Sequence, residues 1–168
     1  MNEGNFVYES DDKSIIWNNW HPGQPNNTNC YPHKKCSGDE DCVEVKADPE
    51  GKWNDQCCSK SKHYICEKSL PTSFSSKNLV WEVKKEKRFL VHVAKKSHLE
   101  AQKFCVSQGG KLFEPKSEME NSEIAALAKE KGAKNGIWIG IHDKTSEGNF
   151  EYESDGTKID YKGRRDYP

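Results

Sequence analysis

Gln24-Pro25-Asn26, Glu40 and Trp53-Asn54-Asp55 set five oxygen-bearing side chains, those of Gln24, Asn26, Glu40, Asn54 and Asp55, around a single proline. Carboxylates mixed with amide carbonyls are what a hard cation asks for. Calcium takes about six to eight oxygens from carboxylates, Asn/Gln and backbone carbonyls, and water. Gln-Pro-Asn alone reads equally well as a polar surface turn. The acids at 39–41 and the Asn-Asp pair at 54–55 are what favour the cation.

Such ligands need a scaffold, and its pieces are legible along the chain. Ser97-His98-Leu99-Glu100 reads as a capped helix start, with Leu99, Ala101, Phe104 and Cys105 on one face and Gly109-Gly110 at its end. Ser117 opens a second helix with a capping-box pattern, running to about Lys131 before Gly132. Ile137-Trp138-Ile139-Gly140-Ile141 is a continuous apolar run, hence a buried strand. Val43-Glu44-Val45 and His63-Tyr64-Ile65-Cys66 read as short strands, and Asp48-Pro49-Glu50-Gly51 as a turn. The stretch from Ser69 to Asn78, with Pro71 and several serines, reads as a linker, and Lys84-Lys85-Glu86-Lys87-Arg88 as a solvated strand edge.

Residues 3–12 (EGNFVYESDD) and 147–156 (EGNFEYESDG) agree at eight of ten positions, an offset of 144 residues. Chance does not explain that, and the chain reads as a window cut from tandem repeats that opens and closes at the same phase. Cysteines stand at 30, 36, 42, 57, 58, 66 and 105. That density belongs to an oxidising compartment and disulfides. A zinc site of Cys57, Cys58 and His33 is the competing reading, and no C-x2-C spacing supports it.

Together the Gln-Pro-Asn turn, the acids before Cys42, Trp53-Asn54-Asp55 and the Trp138-Ile139-Gly140 strand resemble the C-type lectin family. The resemblance implies an α+β double-loop fold with two helices and small antiparallel sheets, circularly permuted or composite. Residues 1–68 match the second half of such a domain, 69–80 a linker and 81–168 the first half. The family's first and last strands pair, so its termini are adjacent, and the linker can close both halves into one permuted domain. Exchange of half-domains with a neighbouring chain is the rival.

The resemblance further implies disulfides Cys42–Cys58 and Cys66–Cys105; Cys30–Cys36 would staple an insertion, leaving Cys57 unassigned. It implies a cis Gln24-Pro25 bond and one calcium ion held by Gln24, Asn26, Glu40, Asn54 and Asp55. Gln24, Asn26, Glu40 and Asn54 would also meet two vicinal sugar hydroxyls. An auxiliary ion would use Asp143, Glu147 or its duplicate Glu3, and Asp41, with Asn27 where an acid is commoner; a solvated acidic surface is the alternative there. Trp53 reads as core packing rather than a sugar platform.

In the family Glu-Pro-Asn goes with mannose-type and Gln-Pro-Asp with galactose-type glycans. Gln24-Pro25-Asn26 is a hybrid with one negative charge fewer, which should weaken calcium binding. Asn26-Asn27-Thr28 is also a glycosylation sequon, so a functional site requires Asn26 to stay unmodified. In the second repeat, Arg165-Asp166-Tyr167-Pro168 places Tyr167 opposite Gln24, and the ligand turn is lost.

The remaining composition restricts function rather than naming it. Charges nearly cancel, 26 Lys+Arg against 27 Asp+Glu, so no field points to nucleic acid or an anionic membrane. No run of about eighteen apolar residues exists to span a bilayer, and Asn2-Glu3-Gly4-Asn5 lacks the features of a secretory leader. Six scattered His and no Ser/His/Asp or Cys/His arrangement give no sign of an enzyme. The expectation is an extracellular, calcium-dependent glycan-binding module, with homo-oligomers formed through Cys57 or by swapping. A structural or matrix protein binding mineral, protein or ice is the alternative.

Overall fold

The computed structural model describes residues 17–28, 39–69, 82–84 and 87–159. The first copy of the repeat (3–12), Glu3, Cys30 and Cys36, most of the linker, and Arg165 to Pro168 lie outside these. Ten elements follow in chain order: β1 (Cys42–Lys46), β2 (Trp53–Gln56), β3 (Lys62–Ser69), β4 (Glu82–Lys84), β5 (Lys87–Lys96), α1 (His98–Ser107), β6 (Lys111–Leu112), α2 (Glu118–Glu130), β7 (Gly136–His142) and β8 (Glu151–Tyr152).

The strands form one sheet in the order β2-β1-β7-β3-β5-β4, with β6 on β3 and β8 on β7. Every pairing is antiparallel except β3 with β7. Side chains alternate across a pleated sheet, so each central strand feeds two cores. Ile137, Ile139, Ile141 and Ile65 join Trp20, Val43, Trp53 and the α2 residues Ile124, Ala125 and Ala128. On the other face Trp138 and Tyr64 meet Ala101 and Cys105 of α1. All seven residues of β7 are buried, as a strand covered on both faces must be.

Both helices start where capping chemistry places them. Ser97 and Glu100 form a reciprocal capping box on α1. Ser117 accepts from Glu120 N–H on α2, but the Glu120 carboxylate turns back to Lys116 N–H (2.9 Å) rather than closing the box. Two expectations are corrected. The buried face of α1 is His98, Ala101 and Cys105, and Leu99 is 53% exposed, because the helix rests its His98 side against Trp138. The basic run is not merely a solvated edge: Arg88 is buried, and Lys87 pairs with Glu67 (3.2 Å) and Glu120 (2.6 Å).

Cys42–Cys58 and Cys66–Cys105 are bonded. Cys57, unassigned from sequence, is itself disulfide-bonded within the chain. A bonded Cys57 speaks against its use as a free thiol for linking a second chain.

Candidate functional site

β1 and β2 set the floor of the site, with Val43 opposite Asp55 and Glu44 opposite Asn54. The segment before Gln24 is laid beside them by Trp53 N–H to Asn19 C=O (2.8 Å) and His21 N–H to Trp53 C=O (2.9 Å). Trp53 is fully buried, its ring packed edge-on by Trp17 and Trp20, so it anchors the strand and offers no platform to a ligand.

The Gln24-Pro25 bond is cis, and buried Asp55 holds the turn that follows. Asp55 Oδ2 accepts the N–H groups of Asn26 (3.0 Å) and Asn27 (2.7 Å). Asn27, in the left-handed region at φ 44°, returns the bond: its Oδ1 accepts Glu40 N–H (2.9 Å), and Glu40 Oε2 accepts Thr28 N–H (3.2 Å). These four bonds close a ring that fixes the turn, Asp55 and Glu40 relative to one another. Asp55 Oδ1 is buried and accepts no hydrogen bond.

The electrostatics are those of two neighbouring acids whose charge is disfavoured by burial. Burial raises the Asp55 carboxyl above the usual carboxylate range, and its bonds to Asn27 and Asn26 pull it back in part. Burial also raises Glu40, and the neighbouring Asp55 raises it further, with Lys60 a partial offset. An unpaired buried carboxylate costs several kcal/mol unless a counter-charge is supplied.

Of the expected ligands, Glu40 and Asp55 are buried carboxylates tied to the same turn, and Gln24, at the head of that turn, has a buried side-chain carbonyl. The two asparagines differ. Asn26 Oδ1 accepts from Thr28 Oγ1 (2.6 Å) and Thr28 N–H (3.2 Å), so its oxygen is engaged and its NH2 is not. Asn54 is the reverse: Nδ2 donates to Glu44 Oε1 (3.2 Å) and Asp55 C=O (2.6 Å) and its oxygen accepts nothing.

Of the auxiliary set, Asp41 and Glu147 come together with Asp39, carboxylate oxygens all within 4.8 Å of one another. Asp143 sits beside them, its N–H on Asp41 C=O (3.2 Å) and its Oδ2 accepting Gly148 N–H (2.8 Å). Burial, then Glu147 and Asp41, push its carboxyl up to about 7. Asn27 turns to Glu40 instead of this group, and Glu3 is not among the described residues. Asp39, counted among the acids at 39–41 but assigned to neither ligand set from sequence, joins this second group, while Glu40 between Asp39 and Asp41 bonds to the turn of the first.

Comparison with known proteins bears on this arrangement. The Lectin C-type domain family model matches residues 3–68 and 94–164. Pulmonary surfactant-associated protein D of Sus scrofa is 43% identical over 65 residues, covering 39% of this chain and 15% of that protein. Collectin-43 of Bos taurus is 40% identical over 65 residues, 39% of this chain and 18% of that protein. C-type mannose receptor 2 of Mus musculus is 24% identical over 164 residues, 90% of this chain and 10% of that protein. The chain thus spans less than a fifth of the length of each of these relatives. No solved structure matches significantly.

Proposed function

The chain belongs to the C-type lectin domain family, and from that premise we propose that it is a calcium-dependent glycan-binding module with its ion at Gln24, Asn26, Glu40, Asn54 and Asp55. Members of the family are binding proteins rather than enzymes, and calcium is their usual ion. The observation that supports this site best is Asp55 Oδ1, a buried carboxylate oxygen with no hydrogen bond, next to the raised carboxyl of Glu40. Asp55, Glu40, Gln24 and Asn54 fit calcium by donor chemistry, and Asn26 would join through oxygen by releasing Thr28.

When bound, the ion supplies a point of attachment for two vicinal sugar hydroxyls. The chain's own part is to orient them: Glu40 accepts a hydroxyl proton, and the Asn26 NH2 donates to a hydroxyl oxygen. Two amides in the turn leave the choice between mannose-type and galactose-type glycans to the donors and acceptors actually presented. Asp39, Asp41, Asp143 and Glu147 are the proposed auxiliary ion site. The disulfides support an oxidising, extracellular setting for the module. We read residues 1–68 and 81–168 as two halves of one permuted domain.

The exposed acids Asp39 and Glu147 favour a second reading, cation or mineral binding without sugar. Affinity chromatography on mannose and galactose resins separates the two, with calcium loading and chelator elution. Retention that ignores chelator, or calcium binding without retention on glycan, overturns the lectin reading. Asp55→Asn is the sharp variant. Its amide oxygen can take over the two N–H bonds, so calcium-free stability should stay within about 1 kcal/mol. Calcium affinity should fall on the order of a hundredfold with the lost ligand charge, measured by titration calorimetry.

A further inference from the structure

Resting on the calcium reading above, we propose that buried Glu44 is the positioning residue of the cation site, locking the Asn54 amide so that it meets the ion through oxygen and keeps no N–H for a bound hydroxyl. Glu44 is 2% exposed in the middle of β1, directly opposite Asn54. A carboxylate only accepts hydrogen bonds, whereas an amide has a donor end and an acceptor end. Glu44 Oε1 therefore admits only the NH2 end of Asn54, at 3.2 Å. The second N–H is spent on Asp55 C=O, at 2.6 Å. With both hydrogens used, the amide is held against flipping, and its oxygen is the group left to present.

The surroundings hold Glu44 in turn. Lys62 Nζ lies 2.6 Å from Oε2 and Lys46 Nζ 3.0 Å from Oε1, which neutralises a charge that burial would otherwise make costly. Lys62 is itself seated against the Trp138 ring, 5.5 Å from its centroid. Gly136 leaves the room that the Glu44 carboxylate occupies: a Cβ there would lie 1.3 Å from Glu44 Oε2. A strand interior would normally take an apolar or β-branched residue here. A buried acid with a reserved space and two lysines makes sense if its task is to fix an amide. The division of labour follows: Asn54 has both N–H groups spent and supplies oxygen alone, while Asn26 keeps a disengaged NH2 that can donate to the sugar.

The test uses the full oxidised chain, with Glu44→Gln and Lys62→Met as the variants. Gln can donate as well as accept, so it releases the amide. Lys62→Met removes the partner of the other carboxylate oxygen and leaves the Asn54 bond. In calcium-free protein, NMR of the wild type should show Asn54 NH2 protons exchanging slowly with solvent, and Glu44→Gln should restore fast exchange. Calcium affinity should fall about tenfold or more in Glu44→Gln, and stay within about twofold in Lys62→Met although both lower the melting temperature. Freely exchanging Asn54 protons in the wild type, or equal calcium loss in both variants, overturns the proposal. A wild-type chain that binds no calcium overturns the cation site as well. Normal calcium binding with Glu44→Gln unchanged overturns the positioning role alone.

Discussion

At the scale of residues, burial disfavours the charged form of the acids around the two candidate sites, and this sets a pH dependence. Asp55, Glu40 and Asp41 are raised, each chiefly by burial, and Asp143 is pushed to about 7 from an ordinary 3.8. A carboxyl whose folded value exceeds its unfolded value stabilises the fold fully below the unfolded value, and that contribution is lost as pH rises through the folded one. Without calcium, Asp143 thus contributes most near pH 4 and nothing above about 7. Calcium needs the ionised forms, so its benefit should run the other way. Differential scanning calorimetry should give a larger calcium-induced rise in melting temperature at pH 8 than at pH 5. An equal or larger rise at pH 5 would show that these carboxyls do not hold the ion. The candidate ligand types were readable from Gln24, Glu40, Asn54 and Asp55 because a hard cation selects by atom type. Which end of each amide faces inward was not, because Glu44 and Thr28 decide that across strands and turns.

At the scale of elements, the sheet is as regular as its sequence signals, while the ties between elements are not. β7 and both helix starts follow from a run of apolar residues and from two serine caps. Asn121 carried no such signal, a lone polar residue in a helix, yet it is fully buried and joins α2 to β2. Its Oδ1 accepts Trp53 Nε1–H (2.8 Å), and its NH2 donates to Gly51 C=O (2.9 Å). Gly51, at φ 56°, has no room for a Cβ, which would lie 2.5 Å from Asn121 Nδ2. Only the folded partners show why that asparagine and that glycine belong together. Asn121→Ala would leave the buried Trp53 indole N–H unsatisfied, about 1–3 kcal/mol, while Gly51 C=O keeps the Asn19 amide (2.9 Å). Trp53 starts the strand that carries Asn54 and Asp55, so calcium affinity should weaken with it. Denaturant unfolding and calcium titration of the same variant check both; unchanged stability would mean that α2 does not support the site.

At the scale of the whole molecule, the order of the halves matters less than their distance. β3, from the first half, lies between β5 and β7 of the second, and Cys66 of β3 is bonded to Cys105 of α1. The linker leaves β3 and returns at β4, which is one strand beyond β5. Two strand spacings amount to about 10 Å, and a flexible chain of about ten residues reaches about 17–20 Å. Closure within one chain is therefore unstrained. A short tether also gives the tied half an effective concentration near the millimolar range, far above a neighbouring chain at micromolar concentration. Intramolecular closure should win over exchange of halves by two orders of magnitude or more. Isotopically light and heavy chains, unfolded, reduced, mixed and oxidatively refolded, should yield Cys66–Cys105 peptides of matched label only. Sedimentation velocity of the product should give a monomer. Mixed-label Cys66–Cys105 peptides at the statistical share, from a dimeric product, would mean that the halves exchange and that each binding site is assembled from two chains.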